Sequence, residues 1–71
     1  MKNYYGVMTE LFDDDTAKAS PLYCTQESKP EDTLEQYDGV TIYIDWYGSK
    51  GIAMKALELR RKALSQMGQT A

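Results

Sequence analysis

Seventy-one residues, 42% of them hydrophobic and 27% charged, describe one small α+β domain spanning 1–71, which buries only about 60% of the surface its unfolded chain exposes and is marginally stable alone. His is absent and Cys24 is the only Cys, so an internal disulfide and a Cys/His metal staple are both excluded, and a reducing, cytoplasmic setting is expected. The net charge of −3 conceals an asymmetry, because residues 1–48 set three lysines against ten acids (net −7) and residues 49–71 set five basic side chains against Glu58 (net +4).

Taken in order, residues 3–12 read as a first strand. Tyr5, Val7, Thr9 and Leu11 form its core face, since the opposite register would bury Glu10. Gly6 marks a bulge or the close approach of a neighbour. Asp13-Asp14-Asp15-Thr16 then makes a hairpin loop, because short Asp side chains bond nearby amides and tolerate turn dihedrals. Its carboxylates lack the Gly and terminal Glu of a calcium loop, so no metal or cofactor is expected. Residues 17–26 pair antiparallel with the first strand, and Pro21, which cannot donate to a ladder, restricts them to an edge or a bulge, so an interrupted edge strand is expected. Residues 27–39 are the longest connection. Ser28 and Glu31 have capping-box spacing around Pro30, which allows one short helical turn, with an irregular acidic loop as the alternative. Asp38-Gly39 turns the chain into the next strand.

Residues 40–47 carry the clearest periodicity in the chain. Val40, Ile42, Ile44 and Trp46 alternate with Thr41, Tyr43, Asp45 and Tyr47, and the first four are expected to face the core. Gly48 ends this strand and Ser49 caps a helix over 50–67, with Gly68 placed to stop it. Ile52, Ala53, Ala56, Leu57, Leu59, Ala63, Leu64 and Met67 fall within one broad apolar arc. Arg60 interrupts that arc, so its stem lies on the core with the guanidinium reaching water or a sheet carboxylate. The expected fold is a three-stranded antiparallel sheet with one C-terminal helix on one face, β-β-β-α.

Function is less legible. Without His, a Ser or Cys nucleophile lacks its commonest base, and no G-x-S-x-G, P-loop or dinucleotide fingerprint occurs, so a non-enzymatic protein is expected. No apolar run approaches the length of a membrane span. A single helix leaves one sheet face open. Tyr43 and Tyr47, joined there by Tyr4, Met8 and Phe12, then form an aromatic surface suited to a protein partner or a second copy. The expected partner-binding residues are Tyr4, Tyr43, Asp45, Tyr47 and Arg60. Two alternatives use the same features: base stacking on sheet aromatics beside a basic helix, which the acidity of the sheet opposes, or imitation of nucleic-acid phosphates by the acidic loops.

Lys29-Pro30-Glu31-Asp32-Thr33, followed by Ile42-Tyr43-Ile44-Asp45-Trp46-Tyr47 and an Ala-rich helix, resembles small open reading frames of bacteriophages and mobile elements over residues 2–60. The resemblance implies an accessory protein acting on host machinery and gives no residue a role.

Overall fold

Two β-hairpins precede a single helix. The computed structural model describes residues 1–66, as β1 (Lys2–Phe12), β2 (Ala17–Gln26), β3 (Thr33–Tyr37), β4 (Val40–Tyr47) and α1 (Lys50–Gln66). All four strands join one antiparallel sheet in the order β2-β1-β4-β3. The fold is thus α+β with the helix on one sheet face, but the sheet has four strands where three were expected. Met67 of the apolar arc, the stop at Gly68 and the tail 69–71 lie outside the described residues.

The extra strand is β3, in the segment expected to be a loop or helical turn. Asp38-Gly39 is a two-residue turn with Gly39 at a φ of 84°, and such turns join adjacent antiparallel strands, so the residues before it are drawn into a ladder with β4. All five β3 residues are exposed. Backbone pairing, not burial, holds this edge, which is why no apolar alternation announces it.

The first hairpin closes as its acidic turn predicts. The Asp15 amide donates to Phe12 O at 3.1 Å, and the Thr16 amide donates to Asp14 Oδ1 at 3.0 Å. Asp15 takes a φ of 67°, a region that Asp enters more readily than most residues. β2 ends at one edge of the sheet and β3 starts at the other. Residues 27–32 therefore cross the end of the sheet where β1 begins and β4 finishes. There the Trp46 amide donates to Asp32 Oδ1 at 2.7 Å, the carboxylate standing in for a ladder carbonyl.

Residues directly opposite in a ladder point to the same face. Val7 lies opposite Pro21 and Asp45, Thr9 opposite Ala19 and Tyr43, and Leu11 opposite Ala17 and Thr41. α1 covers this face: Leu57 and Leu64 join Val7, Ala17 and Ala19 in the core, with Leu11, Tyr47 and Ala56 packed at its margin. The core face expected for the first strand is the one the helix covers. For β4 the expectation is reversed: Val40, Ile42, Ile44 and Trp46 point away from the helix, whereas Thr41, Tyr43, Asp45 and Tyr47 lie on the helix side.

The physical reason lies in where the helix sits. It packs chiefly over β2 and β1, less on β4 and not on β3, because the small side chains Ala17 and Ala19 let it approach closely. β4 runs along the rim of that contact, where amphipathic Tyr and a charged Asp are tolerated better than in a core. The Ser49 carbonyl accepts the Ala53 amide at 3.0 Å, and its hydroxyl faces the Ile52 amide at 3.5 Å, as an N-cap should. Only half of the apolar arc is used, since Ala53, Leu57 and Leu64 are buried while Ile52 and Leu59 remain 61% and 59% exposed.

Candidate functional site

The face of the sheet without a helix is the site that the register builds. Its central strands contribute Met8 and Phe12 from β1 and Ile42, Ile44 and Trp46 from β4, all half-buried. Leu22 and Cys24 extend it on β2, and Val40 on β4 meets Tyr37 of β3. The strand with the strongest β-forming sequence thus turns its most apolar side to a surface that no element of the described chain covers. Gly6 faces Trp46 across the β1–β4 pair, and a Cβ there would stand 3.0 Å from Trp46 Cε3 and 3.2 Å from the Asp45 carbonyl oxygen. The close neighbour expected at Gly6 is therefore the indole, which lies against the Gly6 backbone.

The expected partner-binding residues do not form one patch. Tyr4 lies on the helix-free face, paired with Cys24, and is itself buried. Tyr43, Asp45 and Tyr47 are on the opposite side with the helix, so the tyrosine-bearing outer face is corrected to an aliphatic and indole-bearing one. Tyr47 packs against the core margin, and Tyr43 is 36% exposed in a shallow groove shared with Thr9, Asp45, Arg60 and Leu64.

Arg60 organises that groove. Its Nη1 donates to Thr9 Oγ1 at 2.7 Å, and its Nη2 lies 3.6 Å from Asp45 Oδ2. Thr9 is only 2% exposed, so the guanidinium satisfies a hydroxyl that burial would otherwise strand. Next to it, Arg61 Nε and Nη2 both donate to the Ala19 carbonyl at 3.1 Å. These two arginines fasten the helix to β1, β4 and β2. They are structural clamps before they are anything else.

A second cleft opens between the start of the helix and the first hairpin, lined by Tyr5, Pro21, Tyr23, Lys50, Met54 and Leu57. Tyr5 and Tyr23 are tilted at 53° with ring centroids 5.4 Å apart, a favourable edge-leaning contact.

Acidic groups collect at both ends of the sheet. Asp13, whose amide donates to the Gly39 carbonyl at 3.1 Å, brings the first turn beside Asp38. At the far end lie Glu27, Glu31 and Asp32. The Thr16 hydroxyl and then its amide, both donating to Asp14, hold that carboxyl below its usual value of 3.8. Tyr37 donates its hydroxyl to Glu35, and that bond, with the negative charge beside it, pushes the phenol above its usual value of 10.0. Among the described residues, no group of three or more His, Cys, Asp or Glu side chains is placed to hold a metal ion. No described helix is long and apolar enough to cross a membrane.

Ile42, Ile44 and Trp46 are the site residues that the sequence reading assigns to the core, whereas Met8 and Phe12 lie on the outer face where they are expected. A signal for them was present. Arg60 lies in the core stripe of the helix and needs an acid opposite, and Asp45 is the only acid within 40–47. Pairing the two turns the odd-numbered side of that strand toward the helix and sends Ile42, Ile44 and Trp46 outward. Comparison with protein-family models, with curated proteins and with solved structures finds no match to this chain.

Proposed function

We propose that the protein is a non-enzymatic protein-binding module whose contact surface is the helix-free sheet face. The observation that carries this reading is the alternation of β4. Ile42, Ile44 and Trp46 stand on the uncovered side with Met8 and Phe12, and a contiguous apolar surface of this kind marks an interaction site. Aromatic and Met side chains are also the types enriched at interfaces. The likeness to phage and mobile-element reading frames adds an accessory role with a host protein as one home for such a module. Photo-crosslinking in cells tests the reading, with a benzophenone amino acid at position 42 and, for comparison, at position 55 on the outer side of the helix. The expected result is a protein adduct from 42 and none from 55. Failure to crosslink from 42, or equal capture from both positions, would refute it.

A second reading, imitation of nucleic-acid phosphates, draws on the meeting of Asp13, Asp14, Asp15 and Asp38 at one end of the sheet. It predicts that Asp14→Lys/Asp38→Lys abolishes partner capture. The sheet-face reading predicts that capture from position 42 survives this change. Base stacking has less support, because Phe12 and Trp46 share the open face with only Lys2 and Lys18 to meet phosphate, balanced by Glu10 and Glu35.

A further inference from the structure

We propose that the occupant of the helix-free face is a second copy of this chain, docked face to face about a two-fold axis into a helix–sheet–sheet–helix sandwich. The proposal rests on the reading of that face as the contact surface, and names its partner.

Charge is the first argument. The register puts four charged residues on this face, Lys2 and Lys18 against Glu10 and Glu35. The face is therefore neutral although the chain carries −3, and two identical copies meet without net repulsion. Lys18, Glu10, Ile42 and Glu35 occupy one row across the sheet, with Lys18 on the β2 edge and Glu35 on the β3 edge. A two-fold axis running along the strands, midway between β1 and β4, exchanges the two edges. It sets Lys18 of each copy over Glu35 of the other and Glu10 of each over Ile42 of the other. Each Lys18 then stands between Glu10 of its own chain and Glu35 of the other copy, while the adjacent row of Met8 and Ile44 makes the apolar centre. An isologous interface requires this kind of self-complementarity.

Area is the second. Four strands at about 4.8 Å spacing and eight residues at about 3.3 Å rise make a face of roughly 500 Å² in projection. Two copies then cover about 1,000 Å², the lower bound for a specific interface. Opposed sheets in such a sandwich lie about 10 Å apart with strands turned by about 30°.

Stability is the third. The buried hydrophobic residues are Tyr4, Val7, Ala17, Ala19, Ala53, Leu57 and Leu64. Three of the seven are alanines, a thin core for a chain of 71 residues. Burial of a second apolar layer by self-association is a common remedy in domains of this size.

Sedimentation equilibrium of the full chain at about 1–100 µM tests the proposal. The wild type is expected at twice the 8.1 kDa chain mass. Ile44→Asp, which would bury a carboxylate in the apolar centre of both copies, should weaken the dimer by at least about 100-fold. Leu59→Asp, on the exposed side of the helix, should leave it unchanged, and far-UV circular dichroism reports whether each variant is folded. Lys18→Glu and Glu35→Lys should each weaken association by about tenfold, and the double reversal should restore it, an outcome that loss of folding cannot produce. A wild type that stays monomeric, a dimer indifferent to Ile44→Asp, or a double reversal without rescue would each overturn the proposal. If the wild type is monomeric while position 42 still captures another protein, the second copy is excluded and the binding-module reading stands.

Discussion

Gly6 and Trp46 face each other across the two central strands, and the indole fills the space that any side chain at position 6 would need. In Gly6→Ala the new methyl must displace Trp46 Cε3, 3.0 Å from the Cβ position, and it also meets the fixed Asp45 carbonyl. Relief of chain entropy in the unfolded state returns part of that cost. The net loss is about 1 kcal/mol, or roughly 4–8 °C in Tm for a domain of this size. Thermal unfolding at fixed protein concentration checks it, and a neutral or raised Tm would contradict the placement of the indole.

Arg60 and Thr9 should be coupled. Arg60→Met keeps the apolar stem but leaves the buried Thr9 hydroxyl without its donor, whereas Thr9→Val removes the hydroxyl itself. Each single change is expected to cost about 1–3 kcal/mol. The double variant should lose less than the two separate losses combined, with a coupling of about 1 kcal/mol in a urea-unfolding cycle. The Asp45 contact is longer and both partners are about one-third exposed, so Asp45→Asn should cost less than about 1 kcal/mol.

Small residues on β2 let the helix approach the sheet, so enlarging one should push it off. Ala17→Leu places extra carbon atoms in the core shared with Leu57 and Leu64 and is expected to destabilise by about 1–3 kcal/mol. The converse change, Leu57→Ala, opens a cavity and should cost about 2–5 kcal/mol. Chemical denaturation measures both. A stable Ala17→Leu variant would show that the helix does not rest on β2.

Asp14 supplies the acid dependence that can be assigned to one group. Its folded-state pKa is depressed by Thr16, so its contribution is present above the usual value of 3.8 and is lost as the pH falls through the lower folded value. Comparison of Tm for wild type and Asp14→Ala across pH 7 to 2 should show a gap that is widest above about pH 4 and narrows below it. A gap that widens in acid would contradict the assignment.

Three strands and the helix were legible because each carries a period or a punctuating residue: alternation in 40–47, Asp13 to Asp15 between two strands, Pro21 at an edge, Ser49 before a run of helix formers. β3 was not, because all of its residues are exposed and an edge strand needs no apolar face. Its one signal was Asp38-Gly39, a turn that implies a strand on both sides. The orientation of β4 escaped for a different reason. Alternation shows which residues share a side but not which side meets the helix. The helix was equally ambiguous, offering Ile52, Ala56, Leu59 and Ala63 beside Ala53, Leu57, Arg60 and Leu64 at identical spacings. Arg60 decides between them, since only the second stripe brings it to Thr9 and Asp45.

The candidate site inherits that ambiguity. With β4 turned the other way, tyrosines would face outward and the isoleucines would lie beneath the helix. Tyr4, Tyr43, Asp45, Tyr47 and Arg60 would meet at one partner surface only in that geometry, and the register divides them between two sides of the sheet.

Isotope-filtered nuclear Overhauser spectroscopy on a mixture of labelled and unlabelled chain tests both halves of the account together. Intermolecular cross-peaks linking the methyl groups of Ile42 and Ile44 to Met8, Phe12 or Trp46 of the other copy are predicted, with none joining Ile42 or Ile44 to Leu57 or Leu64 in the same chain. Intrachain peaks from Ile44 to Leu57, or intermolecular peaks confined to the helix, would contradict it.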